Sequence, residues 1–348
     1  MKIINKLALI LLTFLKLCFP SNLIEVLDLK GTWKFCVGDD MAFAQLTCQD
    51  QDWDKIHVPD SWEDDGFPGY DGYCWYRFAF TFSEDWGTKN LVLLLGAVDD
   101  VDEVYFNNKL IGALGNFPPA YRSAYDEQRI YSVPEELLNI GKKNVIAVRV
   151  YDHGGPGGII RGKEIGIYQT TDKKSFWSIN LSGTWKFRPG NEKEWADEKY
   201  NDNHWDEIII PGAWDDHGYA DYDGFAWYRK DFVVENVEPQ HLVLLAGKID
   251  DFETIYINGS KVGSTMPVFQ EGYPVEQNHE WQKQREYYIH RSRIHWGRKN
   301  TIAIQVYDGY EFGGIREGKI KLLTRDEYKL TQELDNYNFN EIIEMIFE

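Results

Sequence analysis

Two pairs of adjacent aspartates are the first residues in the chain whose types and spacing suggest chemistry. They stand in "VDD" at 98–100 and "IDD" at 249–251. Two carboxylates close together can act as general acid and general base. Each pair follows an apolar run typical of a strand, and neighbouring strand residues point to opposite faces. We therefore expect at most one Asp of each pair to face a given cleft. We predict that the pairs end a strand and accept hydrogen bonds from nearby backbone N–H groups.

Other catalytic signatures are missing from the sequence. It contains no Gly-x-Ser-x-Gly turn, no His-Glu-x-x-His, no P-loop and no Cys-x-x-Cys. His153 and His217 lie in predicted loops near Asp residues, where a solvated or ligand-binding histidine is commoner than a catalytic one. A zinc site would need three or four clustered His or Cys residues, and the sequence offers no such cluster. We predict no catalytic residue.

Two acid-rich loops suggest a structural calcium ion. They are "DSWEDDG" at 60–66 and "AWDDHGYADYDG" at 213–224. Calcium prefers carboxylate and carbonyl oxygens as ligands. A solvated acidic loop without an ion is the alternative, and no EF-hand spacing is present.

The elements that must position these residues occur twice. The motifs of residues 29–159 recur in the same order 151 to 156 residues later. The matching stretches are "LKGTWKF" (29–35) with "LSGTWKF" (181–187), "GYDGYCWYR" (69–77) with "DYDGFAWYR" (221–229), "LVLLLGAVDD" (91–100) with "LVLLAGKIDD" (242–251), and "NVIAVRVYD" (144–152) with "NTIAIQVYD" (300–308). Two copies of about 150 residues indicate a duplicated domain of ordinary size.

Strand signals dominate both copies. The apolar run at 91–95 is typical of a strand buried on both faces, and "VYFNNKLIG" at 104–112 is typical of a hairpin with Asn-Asn at its turn. Short strands at even spacing predict an all-β fold. We expect one β-sandwich over 23–170, a second over 171–324, and an acidic helix or tail over 325–348.

The "WYR" of the repeated motif is predicted to belong to the scaffold. Tyr76 falls on the core side of its strand, whereas Trp75 and Arg77 share the opposite face, where a cation–π stack would brace the sheet. A platform for a sugar ring is the alternative. Gly72 and Gly224 are expected to adopt a positive φ.

Charge narrows the choice of partners. The formal net charge is −19 over 348 residues. This argues against nucleic acid, because phosphate binding needs clustered Lys and Arg. Anionic membrane surfaces are disfavoured for the same reason, whereas neutral sugars and cations remain compatible.

The start of the chain predicts export. Residues 1–22 combine a basic beginning, a short apolar run and a small residue, Ser21, which is typical of a signal peptide. We expect a secreted, periplasmic or cell-surface protein with no membrane insertion after cleavage. Cys36, Cys48 and Cys74 follow, so at least one thiol stays unpaired within the chain and any one of the three pairings is open.

The ordered motifs resemble a known family. The two copies of "GTWKF", "YDG" with "WYR", the buried strand ending in two aspartates, and "VYD" with "GGI" after it resemble the N-terminal sugar-binding domain of glycoside hydrolase family 2, the β-galactosidase and β-glucuronidase family. Similar domains lie within sialate O-acetylesterases. The resemblance implies two tandem jelly-roll β-sandwiches of the galactose-binding type.

The resemblance leaves out the family's catalytic part. Family enzymes carry their catalytic residues in a separate barrel of about 250 residues, for which this chain has no room. The esterases carry Gly-Asp-Ser, whereas "GDD" at 38–40 has Asp in place of the Ser. We therefore expect a non-catalytic chain.

Loops at the rim of each sandwich form the predicted sugar-binding site. Sugars stack on aromatic rings and hydrogen-bond to polar side chains. The resemblance implies that the stretch after the last long strand approaches the substrate. The two copies differ most in their loops. This is consistent with two sugar sites of different specificity, or with one functional site and one degenerate site. The predicted sugar-binding residues are Asp152, His153, Tyr121, Arg122, Tyr125 and Arg129 in the first copy and Asp308, Tyr273, Trp281 and Arg285 in the second.

Three hypotheses of function follow. The first is a secreted, non-catalytic protein that binds a neutral oligo- or polysaccharide, with a glycosidase as a potential partner. The second is a β-galactosidase-like glycoside hydrolase or a component of a carbohydrate O-acetylesterase. The third is a structural module that binds other proteins through its sheet edges.

Overall fold

The computed structural model describes most of the chain. The described residues are 23–119, 121–125, 127–170, 176–235, 237–266, 269–270, 273–274, 280–310 and 312–335. The predicted signal peptide (1–22) and the last part of the predicted acidic tail (336–348) lie outside them. No helix within the described ranges has the length and apolar character needed to cross a lipid bilayer.

The chain divides into two compact units. One runs up to Trp177 and resumes at Asp326, and the other covers Ser178–Arg325. The sequence pattern predicted the change of unit at 170/171, seven residues before the break at 177/178.

The first unit consists of two antiparallel sheets. Its strands are β1 (Leu23–Asp28), β2 (Gly31–Val37), β3 (Asp54–Val58), β4 (Gly72–Thr81), β5 (Leu91–Asp99), β6 (Val101–Phe106), β7 (Lys109–Leu114), β8 (Gln128–Val133), β9 (Lys143–Asp152), β10 (Gly158–Arg161) and β11 (Gly166–Thr170). One sheet has the order β1-β11-β5-β10, with β8 also pairing with β5, and the other has the order β3-β2-β4-β9-β6-β7. Short 3-10 helices cover Met41–Ala44 and Glu135–Leu137.

The second unit repeats this arrangement. Its strands are β12 (Ser178–Asn180), β13 (Gly183–Pro189), β14 (Asp206–Ile210), β15 (Gly224–Val233), β16 (Leu242–Asp250), β17 (Phe252–Ile257), β18 (Ser260–Ser264), β19 (Phe269–Gln270), β20 (Tyr273–Pro274), β21 (Gln284–Ile289), β22 (Lys299–Asp308) and β23 (Gly314–Thr324). Its two main sheets have the orders β12-β23-β16-β21 and β14-β13-β15-β22-β17-β18, and β19 pairs with β20. Its 3-10 helices are Lys193–Ala196, Trp214–His217, Glu280–Gln282 and Arg291–Arg293. The predicted all-β class with two sandwiches is confirmed.

The core of the first unit lies between its two sheets. Trp33, Phe35 and Tyr76 project from the six-stranded sheet and share one buried cluster with Leu93 and Leu95 of β5. These aromatic and aliphatic side chains are large, and burying each of them stabilises the fold by roughly 1.5–3 kcal/mol.

The other face of β5 is buried as well. Strand alternation turns Val92 and Leu94 away from the core, and they cluster with Leu330 and Leu334. The latter two belong to a helix over 325–335, here called α1, which is part of the first unit. The prediction of a strand buried on both faces is confirmed. Of the acidic helix or tail predicted over 325–348, the described residues 325–335 are helical.

Two of the repeated motifs meet at a tryptophan. Trp62 is fully buried and donates from Nε1 to the carbonyl of Tyr70 at 2.9 Å. A Cβ atom at Gly157 would lie 2.2 Å from the ring of Trp62, so only glycine fits there. Gly313 and Trp214 repeat this contact at 2.2 Å. The "GGI" motif is therefore explained by packing against this indole ring.

The "WYR" motif is buried on both faces of its strand. Trp75 has no exposed surface and packs against Phe43 on the side away from the core. Arg77 is 1% exposed and bonds through Nε to Asp50 at 2.9 Å. Its guanidinium lies 5.7 Å from the ring centroid of Trp53 rather than over Trp75. The cation–π partner thus comes from the segment that covers this face.

Turn chemistry agrees with the sequence. Gly72 and Gly224 have φ of 129° and 133°, a region that favours glycine. Asn107 and Asn108 adopt φ of 47° and 71° in the turn between β6 and β7, as the hairpin prediction requires. The three cysteines of the described chain are free.

A buried ion pair joins the two sheets of the first unit. Arg129 of β8 and Asp102 of β6 are both 0% exposed, and Nε lies 2.7 Å from Oδ1. The hydroxyl of Tyr131 donates to the other oxygen of Asp102 at 2.5 Å. Arg129 Nη2 also donates to the carbonyl of Asp100 at 3.1 Å. The guanidinium therefore holds the crossover from β5 to β6.

Replacing Asp102 by Ala should lower the free energy of unfolding by about 3–5 kcal/mol, because Arg129 would remain buried without its counter-ion. The double variant Asp102→Leu with Arg129→Met should lose less. Lys30→Ala removes an exposed pair with Asp28 at 3.9 Å and should change stability by about 0.5 kcal/mol or less. Denaturant unfolding followed by tryptophan fluorescence measures all three. A loss below about 1 kcal/mol for Asp102→Ala would contradict this role.

Candidate functional site

Each unit brings three carboxylates together at the end of its long strands. In the first unit they belong to Asp99, Asp100 and Asp152, with one oxygen of each lying within 4.8 Å of the others. In the second unit the equivalent residues, Asp250, Asp251 and Asp308, meet within the same limit. Either group has the ligand type and spacing to hold a metal ion.

The expectation that only one Asp of each pair faces a given site is wrong. Asp99 is the last residue of β5 and Val101 the first of β6, and these strands belong to different sheets. Asp100 lies at the bend between them, where strand alternation no longer applies. Both carboxylates therefore approach Asp152, which ends β9 and is directly opposite Gly72. The expected acceptance of backbone N–H bonds is confirmed, because Asp100 accepts from His153 N at 3.0 Å.

Asp100 is held ionised by its surroundings. The hydroxyl of Tyr121 donates to Oδ2 at 2.6 Å, and the hydroxyl of Ser123 donates to Oδ1. Burial opposes ionisation, but these hydrogen bonds and that from His153 N outweigh it and lower the pKa of Asp100.

The other two carboxyls of the first group are shifted the opposite way. Burial raises the pKa of Asp99 to about 7, and its hydrogen bond with Asp100 adds to the shift. Burial likewise raises the pKa of Asp152 to about 7, although Gly154 N donates to its Oδ1 at 3.1 Å. Oδ2 of Asp152 is buried and has no hydrogen-bond partner within the described ranges. The group therefore combines one acid whose ionised form is stabilised with two whose protonated forms are favoured by burial.

Aromatic rings continue from this group in an unbroken series. His153 lies 5.0 Å from Tyr121, Tyr121 5.6 Å from Tyr151, and Tyr151 4.7 Å from Tyr73, between ring centroids. Phe117 stacks on Tyr73 at 5.8 Å and 7°. We call Phe117, Tyr73, Tyr151 and Tyr121 the ring row. Rings beside carboxylates are the combination that binds a sugar, since the rings take its apolar face and the carboxylates its hydroxyls.

The acidic group of the second unit has fewer partners. Asp308 is fully buried, and neither of its carboxylate oxygens has a hydrogen-bond partner of ordinary geometry among the residues that the structure describes, although the nearby backbone N–H of Tyr310 favours its ionised form. Burial, reinforced by Asp250 and Asp251, raises the pKa of Asp308 to about 8. Arg316 pairs with Asp250 at 2.7 Å, and Gly309 N donates to Asp251 at 3.1 Å.

Three of the predicted residues in the first copy come together. Asp152, His153 and Tyr121 all border the acidic group. Tyr125 is 52% exposed, and its N–H donates to Ser123 Oγ at 3.2 Å. Arg122 is half-buried and exchanges two backbone hydrogen bonds with Asn116.

Two predicted arginines lie in the interior instead of at the rim. Arg129 forms the buried pair with Asp102 described above. Arg285 is 3% exposed and pairs with Glu253 at 2.7 Å. We therefore leave both out of the proposed sugar site. Their sequence signal misled because each follows a polar loop but belongs to a strand that faces the core, β8 or β21.

The remaining predicted residues of the second copy are spread out. Asp308 belongs to the acidic group, and Trp281 is 41% exposed in a 3-10 helix. Tyr273 belongs to β20, where it is directly opposite Gln270.

The two acid-rich loops predicted to bind calcium, 60–66 and 213–224, do not contain either group of three carboxylates. Within the described ranges, the carboxylates close enough to share an ion are the two groups above. Glu63 of the first loop accepts from Gly157 N at 3.0 Å, and Asp215 of the second accepts from Gly313 N at 3.1 Å. Each of these two acids accepts a hydrogen bond from the backbone of a glycine pair. The bond stabilises the turn that packs beside that pair.

Sequence reasoning also missed part of the site. Asp99 and Asp100 were visible as a repeated pair, and the available signal was their recurrence together with Asp152 in both copies. Tyr73 and Tyr151 are directly opposite each other on β4 and β9, a relation that only the register reveals.

The chain has low similarity to parts of several known β-glucuronidases. A β-glucuronidase from Formosa agariphila is 27% identical over 114 residues, which cover 29% of this chain and 11% of that protein. The match to a solved β-glucuronidase from Bacteroides uniformis includes 82% of this chain and 28% of that enzyme's chain, with 17% identity and a TM-score of 0.34. The match to a Bifidobacterium dentium β-glucuronidase includes 82% of this chain and 43% of that enzyme's chain, with 12% identity and a TM-score of 0.35. No protein-family model matches the chain. The chain thus spans a small part of the relatives it matches.

Asp308→Asn should remove a pH-dependent loss of stability. The pKa of Asp308 is raised from its ordinary value to about 8. Its contribution to stability is therefore fully present below about pH 4 and lost as pH rises through about 8. With chelator present, the melting temperature of the variant relative to the parent should be higher at about pH 9 than at about pH 5. Asp216→Asn, at an exposed residue of the same unit, is the control. An Asp308→Asn difference that is the same at both pH values would disprove the shift.

Proposed function

We propose that the chain is a secreted, non-catalytic carbohydrate-binding protein. Its ligand is a neutral oligo- or polysaccharide, and its site lies where the ring row meets Asp99 and His153. The observation that carries the proposal is the continuity of rings and carboxylates over a few ångströms. Each ring centroid lies within 6 Å of the next, and Tyr121 donates directly to Asp100.

Exposure divides the roles within this site. His153 is exposed, and Asp99, Tyr73 and Tyr121 are half-buried, so these side chains can meet a ligand. Asp100 is buried and holds the hydroxyl of Tyr121 and the N–H of His153 in place. A site whose contacting groups are fixed beforehand loses less entropy when it binds.

The similarity to parts of β-glucuronidases supports a link with sugars. A partner glycosidase fits the same proposal, since a binding protein would hold the polysaccharide while another chain cleaves it. The predicted signal peptide supports export.

Removing one ring should weaken sugar binding. Tyr121→Ala loses both a stacking surface and the hydrogen bond to Asp100, so we expect three- to tenfold weaker binding, on the order of 1 kcal/mol. A glycan array identifies the sugar for the parent protein, and calorimetry then compares the variants. Tyr288→Ala, at an exposed tyrosine of the second unit, should bind as the parent does. Equal affinity for Tyr121→Ala, or no binding to any glycan, would refute the proposal.

Hydrolysis of a glycosidic bond is the second candidate function, favoured by one observation. Asp99 is half-buried and its pKa is raised to about 7, which is what a general acid in such catalysis requires. Chromogenic galactosides, glucuronides and acetyl esters test it. Turnover that Asp99→Asn abolishes would establish an enzyme. Glycan binding without turnover would support the binding protein.

We further propose calcium as the ion for the acidic group of the second unit. Three carboxylates supply hard oxygen ligands. Both oxygens of Asp308 are buried without a hydrogen-bond partner of ordinary geometry in the described chain, a costly arrangement that a cation would relieve.

Calcium should stabilise the chelator-treated protein through Asp308. A ligand at about 100 times its dissociation constant adds about 2.7 kcal/mol of stability, which appears as a higher melting temperature. Asp308→Asn should lose most of this increase, whereas Asp152→Asn reports on the first unit separately. An unchanged melting temperature on adding calcium, with no heat of binding, would rule the ion out.

A further inference from the structure

Three basic side chains lie side by side on the outer face of the first unit's six-stranded sheet. Lys34 of β2 is directly opposite Lys55 of β3 and, on its other side, Arg77 of β4. Directly opposite residues have Cβ atoms about 4.5–5.5 Å apart, and like charges there repel. We call Lys55, Lys34 and Arg77 the basic row. It stands out in a chain whose net charge is −19.

An open pocket of about 290 Å³ lies against the basic row. All three basic residues line it, and Asp50 is the one acidic residue in its wall. The pocket wall therefore carries two unbalanced positive charges. The remaining lining residues are Thr32, Trp33, Phe78 and Ala79. Trp33 is 1% exposed, so the wall presents mainly its cations, which suit an anionic group.

Arg77 contributes a buried donor without an acceptor. Its Nε bonds to Asp50 at 2.9 Å and its Nη1 to the carbonyl of Gln45 at 3.1 Å. Its Nη2 is buried and has no hydrogen-bond partner in the part of the chain that the structure describes. A buried N–H without an acceptor is costly, and an oxyanion in the pocket would supply one. Lys34 is held beside it, because its Nζ donates to the carbonyl of Gln51 at 3.1 Å.

The second unit shows the same row with its charge balanced. Lys186 and Arg229 match Lys34 and Arg77, but the position of Lys55 is taken by Glu207. Lys186 Nζ lies 2.7 Å from Glu207 Oε1. The scaffold therefore does not require three cations in this row. The second unit instead carries Lys230 at the position of Phe78, where its Nζ donates to the carbonyl of Thr184 at 2.8 Å.

We propose that the basic row binds an oxyanion, the carboxylate or sulfate group of an acidic glycan. The glycan part of this inference rests on the proposed function and adds an acidic unit to its otherwise neutral ligand, whereas the anion site does not depend on that function. Tyr73 of the ring row and Arg77 lie on the same face of β4, four residues apart, which is about 13 Å along a strand. Trp75 lies between them under Phe43, so one oligosaccharide that reached both would pass over this covering segment, with neutral rings on the ring row and an acidic unit on the basic row.

Lys55→Glu tests the anion site, because it recreates the balanced row of the second unit and should fold. The matched control is Lys109→Glu, the same charge change at an exposed residue of β7, on the opposite edge of the sheet. Sodium sulfate is the first probe, with sodium chloride at equal ionic strength as reference. Sulfate should raise the melting temperature of the parent and of Lys109→Glu more than that of Lys55→Glu. Equal shifts in all three proteins would overturn the proposal.

Oligosaccharides of equal length then identify the source of the anion. A uronate oligosaccharide, a sulfated one and a neutral one are titrated into the parent and both variants. We expect Lys55→Glu to weaken binding of an acidic ligand about tenfold, as for loss of a charge-assisted hydrogen bond, and to leave the neutral ligand unchanged. Preference for the uronate or for the sulfated ligand tells carboxylate from sulfate.

The outcomes separate this inference from the proposed function. Acidic ligands that bind Lys55→Glu as tightly as the parent would overturn the basic row as a glycan site, even where the neutral ligand binds. If no glycan binds, the proposed function and the glycan part of this inference are refuted. If sulfate still stabilises the parent more than Lys55→Glu, the anion site remains supported.

Discussion

The fold and its site depend on one buried charged pair in each unit. Asp102 and Arg129 join the two sheets of the first unit, and Glu253 and Arg285 do so in the second. Removing two charges from water is costly, and the cost is recovered only where every remaining donor and acceptor is satisfied. Arg129 meets this condition by also bonding to backbone carbonyls, Asp100 among them. Arg285 does the same with the carbonyl of Asp251. The interior pair thereby fixes the crossover that presents the acidic group.

One scaffold carries different chemistry in its two units. In the first, Tyr121 and Ser123 supply hydroxyls to Asp100, and rings extend outward from the carboxylates. In the second, Asp308 lacks such donors within the described chain. The outer faces diverge too, since Glu207 balances a charge that Lys55 leaves open. The two copies share their packing residues and the three aspartates of the acidic group, while several polar residues around that group differ.

The sequence was informative where a single strand sets the pattern. The continuous apolar run at 91–95 predicted that both faces of β5 would be covered, and α1 covers Val92 and Leu94 on the second face. It failed where two elements meet. Asp100 does not follow the strand alternation because it lies between two sheets. Arg129 was placed at the rim because a loop precedes it. The ring row could not be predicted because it depends on the register of β4 and β9. The sequence shows which residues share a face of one strand, whereas only the structure shows which residues of neighbouring strands are directly opposite each other.

Helix α1 gives the first unit an unusual dependence on the order of synthesis. The helix packs on Val92 and Leu94, yet the whole second unit lies between β11 and α1 in the chain. A ribosome therefore makes about 150 further residues before the segment that covers this apolar face exists. Any truncation within the second unit would leave the first one uncovered, so the two copies are not interchangeable modules that can be cut apart at the boundary between them.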